Sequence, residues 1–142
     1  MGMSIIKIDE FEMDEDDFRT LLNKYSVSDL IELESILKYI DDKDINLAIK
    51  EALNSKINDP KIEDEPKGLI NDSIDDKELD ILLNLFEISS LYLFVIQIYS
   101  FFNENADKKK KYIDTKINDL EKSIRVEIKN RRKKRKKLLK YK

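Results

Sequence analysis

The 142-residue chain contains no cysteine, no histidine and no tryptophan, and only two glycines and two prolines. Without cysteine there is no disulfide framework and no thiolate nucleophile. Without histidine no imidazole is at hand for acid–base or relay chemistry. A zinc site would have to be all-carboxylate, an uncommon set. No glycine-rich phosphate loop, Ser-His-Asp set or placed carboxylate pair occurs either. The sequence therefore predicts a protein that is not an enzyme and holds no metal and no cofactor. Scarce glycine and proline have a structural meaning too: long stretches contain nothing to interrupt a helix.

What the chain does have is charge. Charged residues make up 40% of it and hydrophobic ones 41%, a combination suited to long amphipathic helices with solvated faces. The net charge of −3 conceals an asymmetry between the two ends. Residues 1–104 carry 10 basic and 25 acidic side chains, net −15, and residues 105–142 carry 17 basic and 5 acidic, net +12. Such a split is a statement about partners rather than about fold.

The large apolar side chains gather between Glu78 and Glu104, in ELDILLNLFEISSLYLFVIQIYSFFNE, which holds four of the six Phe. Read as a helix, its polar residues Asp80, Asn84, Glu87, Ser90, Gln97, Ser100 and Glu104 recur every three or four positions, with Phe94 interrupting them. That predicts a rod with one narrow wet stripe and the remaining circumference covered. Before it, an acidic cluster at Asp14–Asp17 suits the start of a helix carrying Phe18, Leu21, Leu22 and Tyr25. Ser26 followed by Asp29 resembles a capping box for a second helix with Leu30, Leu33, Leu37 and Ile40 inward. Asp41 or Asp42 opens a third, with Ile45, Ala48, Ile49, Ala52, Leu53 and Ile57 inward. Residues 4–13 fit neither period. Both prolines and the internal glycine fall between Asn58 and Gly68, marking a linker. After the rod, Ile113, Ile117, Leu120, Ile124 and Ile128 make a narrow seam like that of a helix pair or coiled coil. The expected fold class is all-α: an acidic helical bundle over 1–57, an acidic linker over 58–74, and an antiparallel helical hairpin with a basic end over 75–142.

Two metal-like patterns fail on inspection. Asp42–Asn46 begins like a calcium loop, but Leu47 and Leu53 stand where such a loop needs Gly and Glu. Asp14–Asp17 are consecutive and point in different directions on a helix. The stretch Ile81–Phe102 is long enough to span a bilayer and is followed by Lys108–Lys111. Glu87 within it would cost roughly 2.5–3.5 kcal/mol at a bilayer centre, so a core helix is expected and a membrane span is the lesser alternative.

The tail KNRRKKRKKLLKYK has ten basic residues in fourteen, denser than a helix end requires. It predicts sequence-independent binding of DNA or RNA phosphates by Lys129, Arg131, Arg132, Lys133, Lys134, Arg135, Lys136, Lys137 and Lys140. It could also visit the chain's own acidic segments. Phe86, Leu93, Phe94, Phe101, Ile117, Leu120 and Ile124 are the candidate interface with a second copy or a helical protein partner, since the rod's apolar arc is wider than one hairpin partner covers. The expected function is a nucleic-acid-associated scaffold or accessory protein. The alternatives are a protein–protein adaptor and, less favoured, a single-span anchored protein. The acidic N-terminal residues do not resemble a secretory signal, so a cytoplasmic or nuclear location is expected.

Overall fold

A computed structural model of the chain describes residues 4–59, 65–100 and 108–140. The elements run β1 (Ile5–Ile8), β2 (Phe11–Asp14), α1 (Glu15–Asn23), α2 (Val27–Leu37), a 3₁₀ turn (Lys38–Ile40), α3 (Lys43–Ile57), α4 (Asp76–Ser100) and α5 (Lys108–Lys140). The fold is mostly helical, and the purely all-α expectation needs one correction. Residues 5–14 form a β-hairpin in which Ile6 faces Met13 and Ile8 faces Phe11. Ile6, Ile8 and Met13 are buried while Ile5 is exposed, the alternation of a half-buried sheet. Each strand has only four residues, so the period barely repeats in the sequence. Asp9 turns the hairpin at φ 55°, a left-handed conformation that Asp tolerates better than most residues.

The helix starts follow their caps. Asp14 accepts from the backbone N–H of Asp16 at 2.7 Å and of Asp17 at 3.2 Å, opening α1. Ser26 accepts from Asp29 N–H at 3.1 Å and Asp42 from Ile45 N–H at 3.0 Å, opening α2 and α3. Asp75 and Glu78 cap α4 reciprocally: Glu78 N–H donates to Asp75 at 2.7 Å and Asp75 N–H to Glu78 at 2.9 Å. The Ser26 box is only half made, because the Asp29 carboxylate turns elsewhere. It is buried and accepts from the N–H groups of Lys67 at 3.1 Å and Gly68 at 3.2 Å, tying the connecting segment to α2. Gly68 has φ 83°, which an L side chain would strain.

The inward residues expected for α1 and α2 are all buried, as are Ile45, Ala48, Ile49 and Ala52 of α3. Leu53 is half-buried against the core, and Ile57, in the last turn of α3, is 64% exposed. One core gathers these residues together with Leu69 and Ile74 from the connecting segment, Leu79, Leu82, Leu85 and Phe86 of α4, and Ile117 and Ile124 of α5. α4 packs against α1, α2, the 3₁₀ turn and α5. Burying each Leu or Phe fully contributes roughly 1.5–3 kcal/mol, so the first half of α4 is the centre of stability. Two buried hydroxyls tie the segments around it together. Tyr25 donates to the Leu69 carbonyl at 2.7 Å, and Ser89 donates to the Ile36 carbonyl at 2.6 Å. The helix caps expected around Asn103–Asp107 lie outside the described residues.

Candidate functional site

The α5 seam begins apolar and ends ionic. Ile113, Ile117 and Ile124 are buried against the rest of the chain, and Leu120 and Ile128 are half-buried. One turn on, the same side of the helix carries Arg131 and then Arg135, spaced by four. Arg131 bonds Glu127 at 3.0 Å and Asp76 at 3.1 Å, while Arg135 bonds the other Asp76 oxygen at 2.8 Å. Arg131 also reaches the Asn71 carbonyl at 3.5 Å. One carboxylate in the first turn of α4, where negative charge suits the helix dipole, thus holds two guanidinium groups of α5. The tail's intramolecular contact is therefore with Asp76; Asp17, in the acidic N-terminal cluster, pairs instead with Lys77 at 2.6 Å.

The other predicted cations are arranged differently. Lys129, Arg132, Lys133, Lys134, Lys136, Lys137 and Lys140 are all exposed and have no ion pair among the described residues. At 100° per residue, Lys129, Lys133, Lys136, Lys137 and Lys140 fall on the face opposite the seam, with Arg132 and Lys134 on its flanks. Eleven residue steps at 1.5 Å spread these lysines over about 16 Å of helix. Elsewhere many cations are neutralised: Arg19 by Glu15 and Glu51, Lys24 by Glu78, Lys116 by Glu32, and Arg125 by Glu87 and Glu121. The Glu32 contact raises the Lys116 ammonium above its ordinary value. The positive field that remains uncancelled is concentrated on the outer face of α5's last three turns.

The seven residues read as an interface divide sharply. Phe86, Leu93, Ile117 and Ile124 lie in the chain's own core, and Leu120 is half-buried against it. Phe101 lies outside the described residues. Phe94 is at the surface, 59% exposed. Around it stand side chains that the polar-stripe reading had placed inside: Leu91, Val95, Ile98 and Tyr99 are exposed too, Tyr99 by 79%. With Phe94 they follow the spacing i, i+3, i+4, i+7, i+8 and so make one continuous apolar face over the last turns of α4. A groove of about 430 Å³ runs beside it, lined by Glu87, Leu91, Phe94, Asp114 and Asn118 among others. By length and mean hydropathy, 1.9, α4 is a possible bilayer span, with a third of its most apolar stretch buried.

Of the acidic residues considered for metal, Asp14 is an N-cap and Asp17 an ion-pair partner. No cluster of three or more metal-binding side chains occurs among the described residues. Burial pushes the Tyr25 phenol well above its ordinary range, aided by the carboxylates of Glu78, Asp29 and Glu32. Burial also raises Glu121, against the opposing pull of Arg125. Tyr25 is packed in the core, and Glu121 is the ion-pair partner of Arg125. No known protein family, curated protein or solved structure matches the chain.

Proposed function

We propose that the protein is a non-enzymatic, nucleic-acid-associated scaffold or accessory protein of the cytoplasm or nucleus, binding DNA or RNA backbone through the end of α5. The observation that carries this reading is the set of exposed, unpaired cations on one helix face, beside a body whose own cations are often paired. Lys129, Lys133, Lys136, Lys137 and Lys140 supply the phosphate contacts, with Arg132 and Lys134 reaching from the flanks. Arg131 and Arg135 serve mainly to clamp this helix end to Asp76. Tyr112 and Tyr141 alone flank or interrupt the basic stretch in the sequence, too little aromatic interleaving to indicate stacking on bases. Such contacts position a protein on a duplex without reading its sequence.

The test is duplex binding followed by fluorescence anisotropy across a salt series. With about six charges engaged, affinity should fall roughly 10³-fold between 50 and 200 mM salt. Replacing Lys133, Lys136 and Lys137 with Gln should lower the log–log salt slope by about three. The same change at Arg131 and Arg135 should lower it less. Binding that is flat with salt, or indifferent to the three lysines, overturns the proposal. A protein–protein adaptor is the second reading, favoured by the exposed face of α4.

A further inference from the structure

We propose that the exposed face at the end of α4 is covered by a second copy of this chain, docked antiparallel about a two-fold axis near Val95. Three features of the face argue for that occupant. The first is its size. Free aromatic side chains present roughly 150–250 Å² each, so the five exposed residues offer on the order of 500 Å² of mainly apolar surface. With the flanking groove this approaches the roughly 800 Å² per partner of a stable pair.

The second feature is self-complementarity. An isologous pair brings one patch against itself, so its two ends must suit each other when reversed. Around an axis at Val95, Leu91 meets Tyr99 of the second copy, and Phe94 packs beside the axis. The apolar spacing of this face is that of a helix-pairing seam.

The third is charge. Along one stripe α4 runs from acidic to apolar: Asp80 and Glu87 are exposed on the same side as Leu91, Val95 and Ile98. At the opposite end of the face, α5 begins with lysines, of which Lys110 and Lys111 have no ion pair among the described residues. Antiparallel docking carries that basic start of α5 toward Glu87 of the other copy, at both ends of the interface at once; Arg125 is that carboxylate's partner within the chain. Parallel docking would set like charges against each other. A lipid surface would suit the apolar face and the lysines but would be opposed by Glu87 and Asp114 beside them.

In one respect the inference rests on the nucleic-acid reading. α5 is about 50 Å long and its cationic end lies away from the α4 face, so the two ends of the pair would point in opposite directions. Such a pair would bridge two nucleic-acid segments rather than coat one.

The cysteine-free chain makes the test direct. Sedimentation equilibrium should give twice the 16.9 kDa chain mass, and Phe94→Glu should return it to a single chain with unchanged circular dichroism. Under mild oxidation Val95→Cys should cross-link to itself. Leu91→Cys and Tyr99→Cys should cross-link when mixed, and neither should do so alone. Leu139→Cys, at the far end of α5, should stay monomeric. A wild-type monomer, or self-linking by Leu91→Cys and Tyr99→Cys separately, overturns the proposal. So does a monomer that floats with phosphatidylserine vesicles, which would name lipid as the occupant. All these measurements are made without nucleic acid. A dimer that ignores duplex therefore sinks the function and leaves this contact standing; a duplex-binding monomer does the reverse.

Discussion

The two halves of α4 have similar apolar content and opposite fates. From Glu78 to Phe86 nearly every large side chain is buried, because α1, α2 and α5 close around it. From Leu91 to Tyr99, Leu93 alone is fully buried among the described side chains. The difference is coverage, not composition. α5 packs along α4, α2 meets it as far as Ser89, and beyond that the β-hairpin's Asp9 accepts from the Tyr92 hydroxyl at 2.9 Å. An apolar helix is therefore a core element at one end and an exposed apolar face at the other. Polar groups follow the helix face instead: Glu78 and Ser89 are buried with partners in hand, whereas Asp80 and Glu87 remain at the surface.

The largest effect that sharpens this contrast comes from truncating one aromatic in each half. Phe86→Ala should destabilise the chain by about 3–5 kcal/mol, since the fully buried ring leaves a cavity. Phe94→Ala should cost less than about 1 kcal/mol at concentrations where the chain is monomeric. Urea melts of both variants at low concentration make the comparison. Equal costs would mean that the end of α4 is covered within a single chain.

Next in size is an alkaline effect at the buried half. The Tyr25 phenol is raised in the folded state, so its contribution is fully present below the unfolded value of about 10 and is lost as pH rises beyond it. Lys116, also raised, acts in the same direction. Above pH 10 stability should fall by about 1.4 kcal/mol per pH unit through Tyr25 alone. Tyr25→Phe should flatten that limb while costing about 1 kcal/mol near neutrality, because the Leu69 carbonyl loses its donor. Thermal melts from pH 7 to 11 read both numbers, and an unchanged alkaline slope would refute the assignment.

The smallest effect concerns the clamp between α5 and the start of α4. Asp76 is half-exposed, so Asp76→Asn should change stability by less than about 1 kcal/mol. It should nonetheless free Arg131 and Arg135 and tighten duplex binding more than Asp80→Asn, an equal charge change one turn away. Equal tightening by the two variants would show that Asp76 acts only through its long-range field.

Much of the scaffold was legible in the residues. The α5 seam, the inward faces of α1 and α2, the helix start at the Asp14 cluster and the cap at Ser26 follow from local spacing and charge, which a sequence states directly; of Asp41 and Asp42, the structure makes Asp42 the cap of α3. The cationic run at the end of α5 was equally plain, since charge density needs no fold to be counted. The β-hairpin was not, because four-residue strands give an alternation too short to recognise. Nor was the buried role of Asp29, whose carboxylate finds its donors at Lys67 and Gly68, far along the chain. The division of the tail into clamping arginines and free lysines depends on which face of α5 meets Asp76. The exposed face from Leu91 to Tyr99 has the same origin. Helical periodicity determines which residues share a side; only the lengths and placement of the neighbouring elements decide which sides are covered, because burial is a property of the packed assembly and not of the helix itself.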